Sequence, residues 1–350
     1  MKTRMTFIHI GDTTIPKNAN TTDTVVANHR YIKFAILLPC QILSIICSLF
    51  LFVNIICRPS KLIKPIRNHF ILPLLITSFI QVTTELSMVE NYLHTGIVRP
   101  STYAYCLFFN WYEFSLNGIS LFIMLWASIE RHIIILSRSV FQIRWKRIVF
   151  HYLPLCIAIL YPPICYAYFI FIYSCVNNWN YYELLCTAPC FYQNKMLGIT
   201  DWLFNIIIPA FSIAVANVLL IIRVICRSTL VRYNAERTKK NRKMTIQLLA
   251  ISSLFLIFWF PIAVTGLIQQ FFYPTFLIYI QFNIFFYLIY FIQLFLPIVC
   301  LVSLPGLKKA VISKIRQWKQ RNTVGNVTAI QNASMIPTLC NYLYRQNVFI

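Results

Sequence analysis

The chain has 350 residues, 59% of them hydrophobic and only 11% charged, with 31 Lys and Arg against 9 Asp and Glu. A mean hydropathy of +0.67 is too oily for a soluble globular domain. Seven glycines and 16% aromatic residues exclude collagen-like, linker and disordered chains.

Residues 1–33 are polar and form a predicted N-terminal segment, which includes the glycosylation acceptor Asn20-Thr21-Thr22. Seven apolar runs follow, at about 34–57, 70–93, 103–136, 148–173, 199–226, 244–268 and 276–302. Each reaches the roughly 20 residues that a helix needs to span a bilayer. The first run lacks a small-residue cleavage site and starts after a polar stretch, so it is predicted as a span rather than a cleaved signal. The predicted fold is all-α and integral to the membrane: a seven-transmembrane helix bundle over 34–302. Residues 303–319 hold an amphipathic eighth helix, where Leu307, Val311, Ile315 and Trp318 recur at helical spacing among lysines and arginines. Residues 320–350 form a polar tail.

Charge sets the orientation. Of the 31 Lys and Arg residues, 24 fall on one side of these spans. The positive-inside rule places that side in the cytoplasm and the N-terminus outside, as in a multi-pass protein of the plasma membrane. The basic groups cluster at helix ends beside lipid headgroups, so no nucleic-acid partner is expected. An odd number of spans without an internal echo argues against a repeat-built transporter.

None of the six histidines stands at metal-ligand spacing with another histidine, a cysteine or an acid, and no G-x-S-x-G, H-E-x-x-H or phosphate-loop motif occurs, so neither an enzyme, a metal nor a cofactor is expected. Most of the twelve cysteines lie in apolar runs. Cys106 differs, because it starts the third run on the oxidising side, opposite an outer loop with Cys175, Cys186 and Cys190. A bridge from Cys106 to Cys186 or Cys190 would pin that loop to the third helix. Ionisable groups inside membrane helices are functional candidates because lipid exposure is expensive. They are Glu85, Glu113, Asp201 and the pair Glu130-Arg131. The first three fall in outer halves of spans, where acids facing one cavity would attract a cation.

The order and spacing of these features resemble the rhodopsin-like (class A) G-protein-coupled receptors. Cys106 precedes Arg131 by the family's separation between its disulfide cysteine and the arginine of its D/E-R-Y motif, here Glu130-Arg131-His132. Run five holds Pro209, run six reads Phe255, Phe258, Trp259, Pro261, and run seven has Pro297 at the family's helix-seven proline. The resemblance covers about residues 34–319. It implies that Arg131, held by Glu130, is freed to meet a heterotrimeric G protein. It also implies that Trp259 is a switch beneath the ligand, that Phe255 relays its motion, and that Pro261 and Pro297 bend their helices. Glu113 occupies the site of the amine receptors' ligand-pairing aspartate, and Tyr290 that of a partner tyrosine. Because Ile262 and Ala263 replace an amine site's aromatic pair, a basic peptide is favoured over a biogenic amine.

Several family positions differ. Ser78 stands in place of the sodium-binding aspartate, Leu296 and Cys300 replace the asparagine and tyrosine of the helix-seven motif, and Asn217 replaces a helix-five tyrosine. These departures leave open a seven-helix scaffold that binds ligand without signalling, and the set of intramembrane acids leaves open a channel or transporter.

Overall fold

A computed structural model describes residues 19–57, 70–136, 143–230, 235–273 and 275–303. The Asn20 side chain, the amphipathic stretch 306–319 and the tail 320–350 lie outside what is described. Among the described residues there is no strand, and seven helices are long and apolar enough to cross a membrane. They are α1 (Ala19–Cys57), α2 (Ile71–Thr95), α3 (Tyr103–Leu136), α4 (Arg144–Ile172), α5 (Lys195–Arg223, its helical backbone continuing to Leu230), α6 (Ala235–Phe271) and α7 (Ile278–Val302). The chain is a seven-helix, all-α, multi-pass membrane protein.

α1 begins about four turns before its apolar run, at the end of the bundle that is the outer one in the orientation predicted from charge. Its outer turns find partners on α2: the Arg30 guanidinium lies against Gly96, and Phe34 packs on His94 with ring centroids 5.6 Å apart. Gly96 also ends α2 with a φ of +77°, the left-handed conformation that favours glycine.

α3 sits at the centre. Its most apolar window is 67% buried, against 22% for α4. The outward faces of α1, α4 and α5 show Ile46, Ile157, Leu160, Ile164 and Phe211 to the surroundings. Such exposure would be a liability in water and is ordinary against lipid. The core divides into an inner and middle cluster around Leu74, Leu121, Met124, Ile213, Phe255 and Leu296, and an outer one around Leu37, Leu86, Phe109 and Tyr287.

Deviations from regular helix give the bundle its shape. Single π turns interrupt α2 at Gln81–Glu85, α4 at Ile148–Tyr152 and Tyr168–Ile172, α5 at Trp202–Ile207 and α7 at Gln281–Phe285. Each rotates the following side chains relative to a continuous helix. Pro297 has no N–H to give the carbonyl of Gln293, four residues earlier. The Ser78 hydroxyl of α2 takes that carbonyl at 2.9 Å, and Ser44 of α1 approaches it at 3.5 Å. Ser78 thereby ties α2 to the proline-broken turn of α7.

Two disulfides brace the outer loop between α4 and α5, Cys106–Cys186 and Cys175–Cys190. Of the two pairings open to Cys106 in the sequence, the structure has the first. The loop turns back at Leu185, Cys186 and Thr187, three consecutive non-glycine residues with positive φ. Asn110 of α3 holds the Leu185 carbonyl at 2.6 Å.

Helices meet closely where glycine removes a side chain. A Cβ on Gly266 of α6 would run into the Trp202 indole of α5. Gly266→Ala is expected to destabilise the bundle by about 1–3 kcal/mol through overpacking. The check is the apparent melting temperature of the detergent-solubilised protein. Trp202→Phe in the same chain is expected to recover part of the loss, and an unchanged melting temperature for Gly266→Ala would contradict this contact.

Candidate functional site

Three places in the bundle gather polar side chains: an acidic network near the outer end, a second buried acid between α4 and α5, and an ionisable triplet at the inner end of α3.

The π turn of α2 and the middle of α3 bring Glu85 and Glu113 together. Glu85 is fully buried and Glu113 is 8% exposed. The two carboxyls lie within hydrogen-bond reach of each other. Their partners are mostly one turn away on the same helix, where residues four apart share a face. Gln81 Nε2 donates to Glu85 Oε2 at 3.3 Å and to Asn117 Oδ1 at 3.2 Å. Asn117 Nδ2 donates to Glu113 Oε1 at 3.1 Å, and the Tyr290 hydroxyl of α7 donates to the same oxygen at 3.0 Å. Below them, Ser120 donates to Gln81 Oε1 at 3.0 Å, and Gln293 Nε2 donates to Ser120 at 3.4 Å. Every donor atom in this network has a partner. Three buried oxygens do not: Glu85 Oε1, Glu113 Oε2 and Gln293 Oε1. All three are acceptors, two of them on facing carboxyls, so the network has room for a positive charge or a proton.

At the outer mouth, Lys33 Nζ of α1 sits 3.9 Å over the Tyr287 ring, which makes an edge contact with Tyr290 at 6.4 Å. These two tyrosines, one turn apart on α7, join the mouth to the acidic network.

Asp201 does not join Glu85 and Glu113. It is 1% exposed and belongs to another cluster. The Tyr192 hydroxyl and Asn205 Nδ2 each donate to it at 2.6 Å, and Tyr166 lies within hydrogen-bond reach. Asn205 in turn accepts from Tyr161 at 3.0 Å. Phenols and an amide satisfy this acid and tie α4, α5 and the outer loop together. The cavity of three acids expected from the sequence is, in the structure, a pair of acids and a separate structural acid.

Trp259 and Phe255 are buried one turn apart on α6, in the apolar cluster that includes Ile289, Ile292 and Leu296 of α7. Leu296 and Cys300, where a polar relay would stand, are fully buried in that same cluster. Pro261 and Pro297 lie inside helices α6 and α7. Asn217 of α5 accepts from Ser252 of α6 at 2.9 Å.

Glu130, Arg131 and His132 point about 100° apart around α3 because they are consecutive in a helix. Each reaches a different neighbour. Glu130 Oε1 lies 2.7 Å from His151 Nδ1 at the start of α4. The Arg131 guanidinium lies 5.2 Å over the Phe70 ring, which precedes α2. His132 spans to α5, with Nε2 2.8 Å from the Ala216 carbonyl and Nδ1 3.0 Å from an Arg223 nitrogen. Since the guanidinium can only donate, Nδ1 of His132 accepts and Nε2–H donates to the carbonyl.

Sequence reasoning missed Gln81, Asn117, Gln293 and His151. Gln81 and Asn117 were detectable as amides four residues from each acid. His151 had no local signal, being 21 residues from Glu130 and on another helix. Comparison with known proteins finds no family model that matches this chain and no curated protein with significant similarity to it.

Gln81 is the hinge of the acidic network, since it donates to both helices and accepts from Ser120. Gln81→Leu is expected to destabilise the protein by about 1–3 kcal/mol for each buried partner it leaves without a hydrogen bond. Thermal unfolding of the purified variant reads this, and wild-type stability would show that the network contributes nothing.

Proposed function

We propose that this chain is a cell-surface receptor, similar to the rhodopsin-like G-protein-coupled receptors, that binds a cationic extracellular ligand and activates a heterotrimeric G protein. A basic peptide is favoured over a biogenic amine as the ligand. The N-terminus is outside and the ligand enters from that side of the plasma membrane. The observation that carries the reading is the layout of α3. One continuous helix bears Glu113, in an acidic network short of positive charge, and five turns further on it bears the Glu130-Arg131-His132 triplet that reaches α4, α5 and the residue before α2. A ligand charge seated between Glu85 and Glu113 alters the balance of charge at one end of the most buried helix in the bundle. The guanidinium of Arg131 at the other end is the group to engage the G protein.

A second reading has its own support. The complete burial of Leu296 and Cys300 in apolar surroundings leaves α7 without polar side chains where a relay would run. A seven-helix protein that binds ligand without signalling fits that feature. Guanine-nucleotide exchange by purified heterotrimers in the presence of the reconstituted protein decides between the two.

Arg131→Ala is expected to lower that exchange at least about fivefold. Unchanged exchange would remove Arg131 from the coupling step. For the ligand, a screen of basic peptides and arylalkylamines supplies agonists. Glu113→Gln is then expected to weaken binding of any such agonist by about 30-fold or more, since a buried cation loses its charge partner, while surface expression stays near wild type. Equal affinity in the variant would reject Glu113 as the ligand's counter-ion.

A further inference from the structure

In the receptor reading, Glu130 is the acid that holds Arg131, yet its carboxylate is engaged by a side chain from another helix. His151 Nδ1 lies 2.7 Å from Glu130 Oε1, and the two side chains are 1% and 3% exposed. A charge-assisted hydrogen bond this short between buried groups is among the stronger contacts a protein makes. The position of His151 is itself constrained. It lies in the π turn Ile148–Tyr152 that opens α4, and its ring meets Tyr152 edge-on at 4.8 Å. Glu130 is thereby drawn toward α4, while Arg131, the next residue on the helix, is directed to Phe70 beside α2.

We infer that His151 is a positioning residue that competes with Arg131 for the Glu130 carboxylate and so sets how firmly Arg131 is restrained. A carboxylate that already accepts a charged or polar donor on one oxygen has less to offer a second cation. Without the imidazole, a buried Glu130 would lack a donor on Oε1, and the adjacent guanidinium is the group best able to replace it. The restraint on Arg131 then tightens. The π turn serves this arrangement, because it changes the direction of the α4 residues at the point where His151 must face α3.

The inference rests on the receptor reading and is tested with the full-length protein in lipid nanodiscs. The readout is ligand-independent nucleotide exchange on a set of purified heterotrimers. His151→Phe keeps an aromatic ring but has no N–H, and it is expected to lower exchange about fivefold or more. His151→Ala, which has no donor, is expected to do the same and covers the case in which the bulkier variant does not reach the membrane. His151→Asn places its Nδ2–H where the imidazole has Nδ1–H and is expected to recover most of the exchange. In a Glu130→Gln background the loss caused by His151→Phe is expected to vanish, because the amide cannot hold Arg131 by charge. Exchange that is unchanged or raised in His151→Phe would overturn the inference. So would a loss that persists in the Glu130→Gln background, which would mean damage to the fold. If the wild type drives no exchange on any heterotrimer, the receptor reading itself falls; a silent His151→Phe beside an active wild type removes only the positioning role.

Discussion

Burying ionisable side chains in an apolar interior sets the terms for the rest of this bundle. α3 carries Glu113, Glu130, Arg131 and His132 through the most enclosed part of the protein. Neither lipid nor apolar side chains can solvate such groups, so each must find a partner on another helix or one turn away on its own. That requirement explains why α2, α4, α5 and α7 approach α3 where they do. Tyr290 comes to Glu113, His151 to Glu130, Phe70 to Arg131, and the Ala216 carbonyl to His132. Apolar packing fills the space between these contacts but does not choose among possible arrangements, because Leu and Ile side chains fit many neighbours.

The backbone obeys the same rule. Every carbonyl that loses its helical partner inside a membrane needs another donor. Pro297 creates one such carbonyl at Gln293, and Ser78 and Ser44 supply the hydroxyls. A serine at position 78 thus fits this chain where an aspartate would bring a further buried acid onto α2, about two turns from Glu85. The side chain of Gln293 at the same turn reaches Ser120 and through it Gln81. The break in α7 and the acidic network are therefore one connected structure. A change of charge between Glu85 and Glu113 acts directly on groups that hold α2, α3 and α7 together.

What the sequence makes legible follows from the range over which each feature is determined. The seven spans depend on composition over about 20 residues, and all seven occur as helices, with α1 and α6 beginning well before their apolar runs. The cysteine at the outer start of α3 and the ionisable residues within spans are visible in the same way. The start of α1 at Ala19 has no such signal, because its outer turns are polar and owe their order to contacts with α2. The π turns have no local signature, yet they decide which way Glu85 and His151 face. Asp201 groups with the other acids in the sequence because depth in the membrane can be read from position along a span, whereas direction around the helix cannot be read across a π turn. Its phenol partners, Tyr166 and Tyr192, come from α4 and from the outer loop.

The distribution of polar ties also separates the helices by how they can move. α2, α3, α4 and α7 are joined by hydrogen bonds among fully buried groups, and α1 joins them through Gln41, which donates to the Val82 carbonyl at 2.7 Å. Breaking any of these leaves an unsatisfied polar atom in the interior. Toward its inner half, α6 has the Asn217–Ser252 bond to α5 among the described residues, and otherwise packs through Leu248, Ile251, Phe255 and Trp259. Apolar surfaces can slide past one another with little loss when the contact area is kept, whereas a buried hydrogen bond is either made or broken. The bundle thus divides into a network that resists change around α3 and the inner half of α6, where, among the described residues, displacement calls for one buried hydrogen bond to a neighbouring helix to exchange partners. In the receptor reading these parts would be a rigid element that registers the ligand and a neighbour able to shift, and the boundary between them runs along the apolar cluster that joins Phe255 and Trp259 to Ile289, Ile292 and Leu296 of α7.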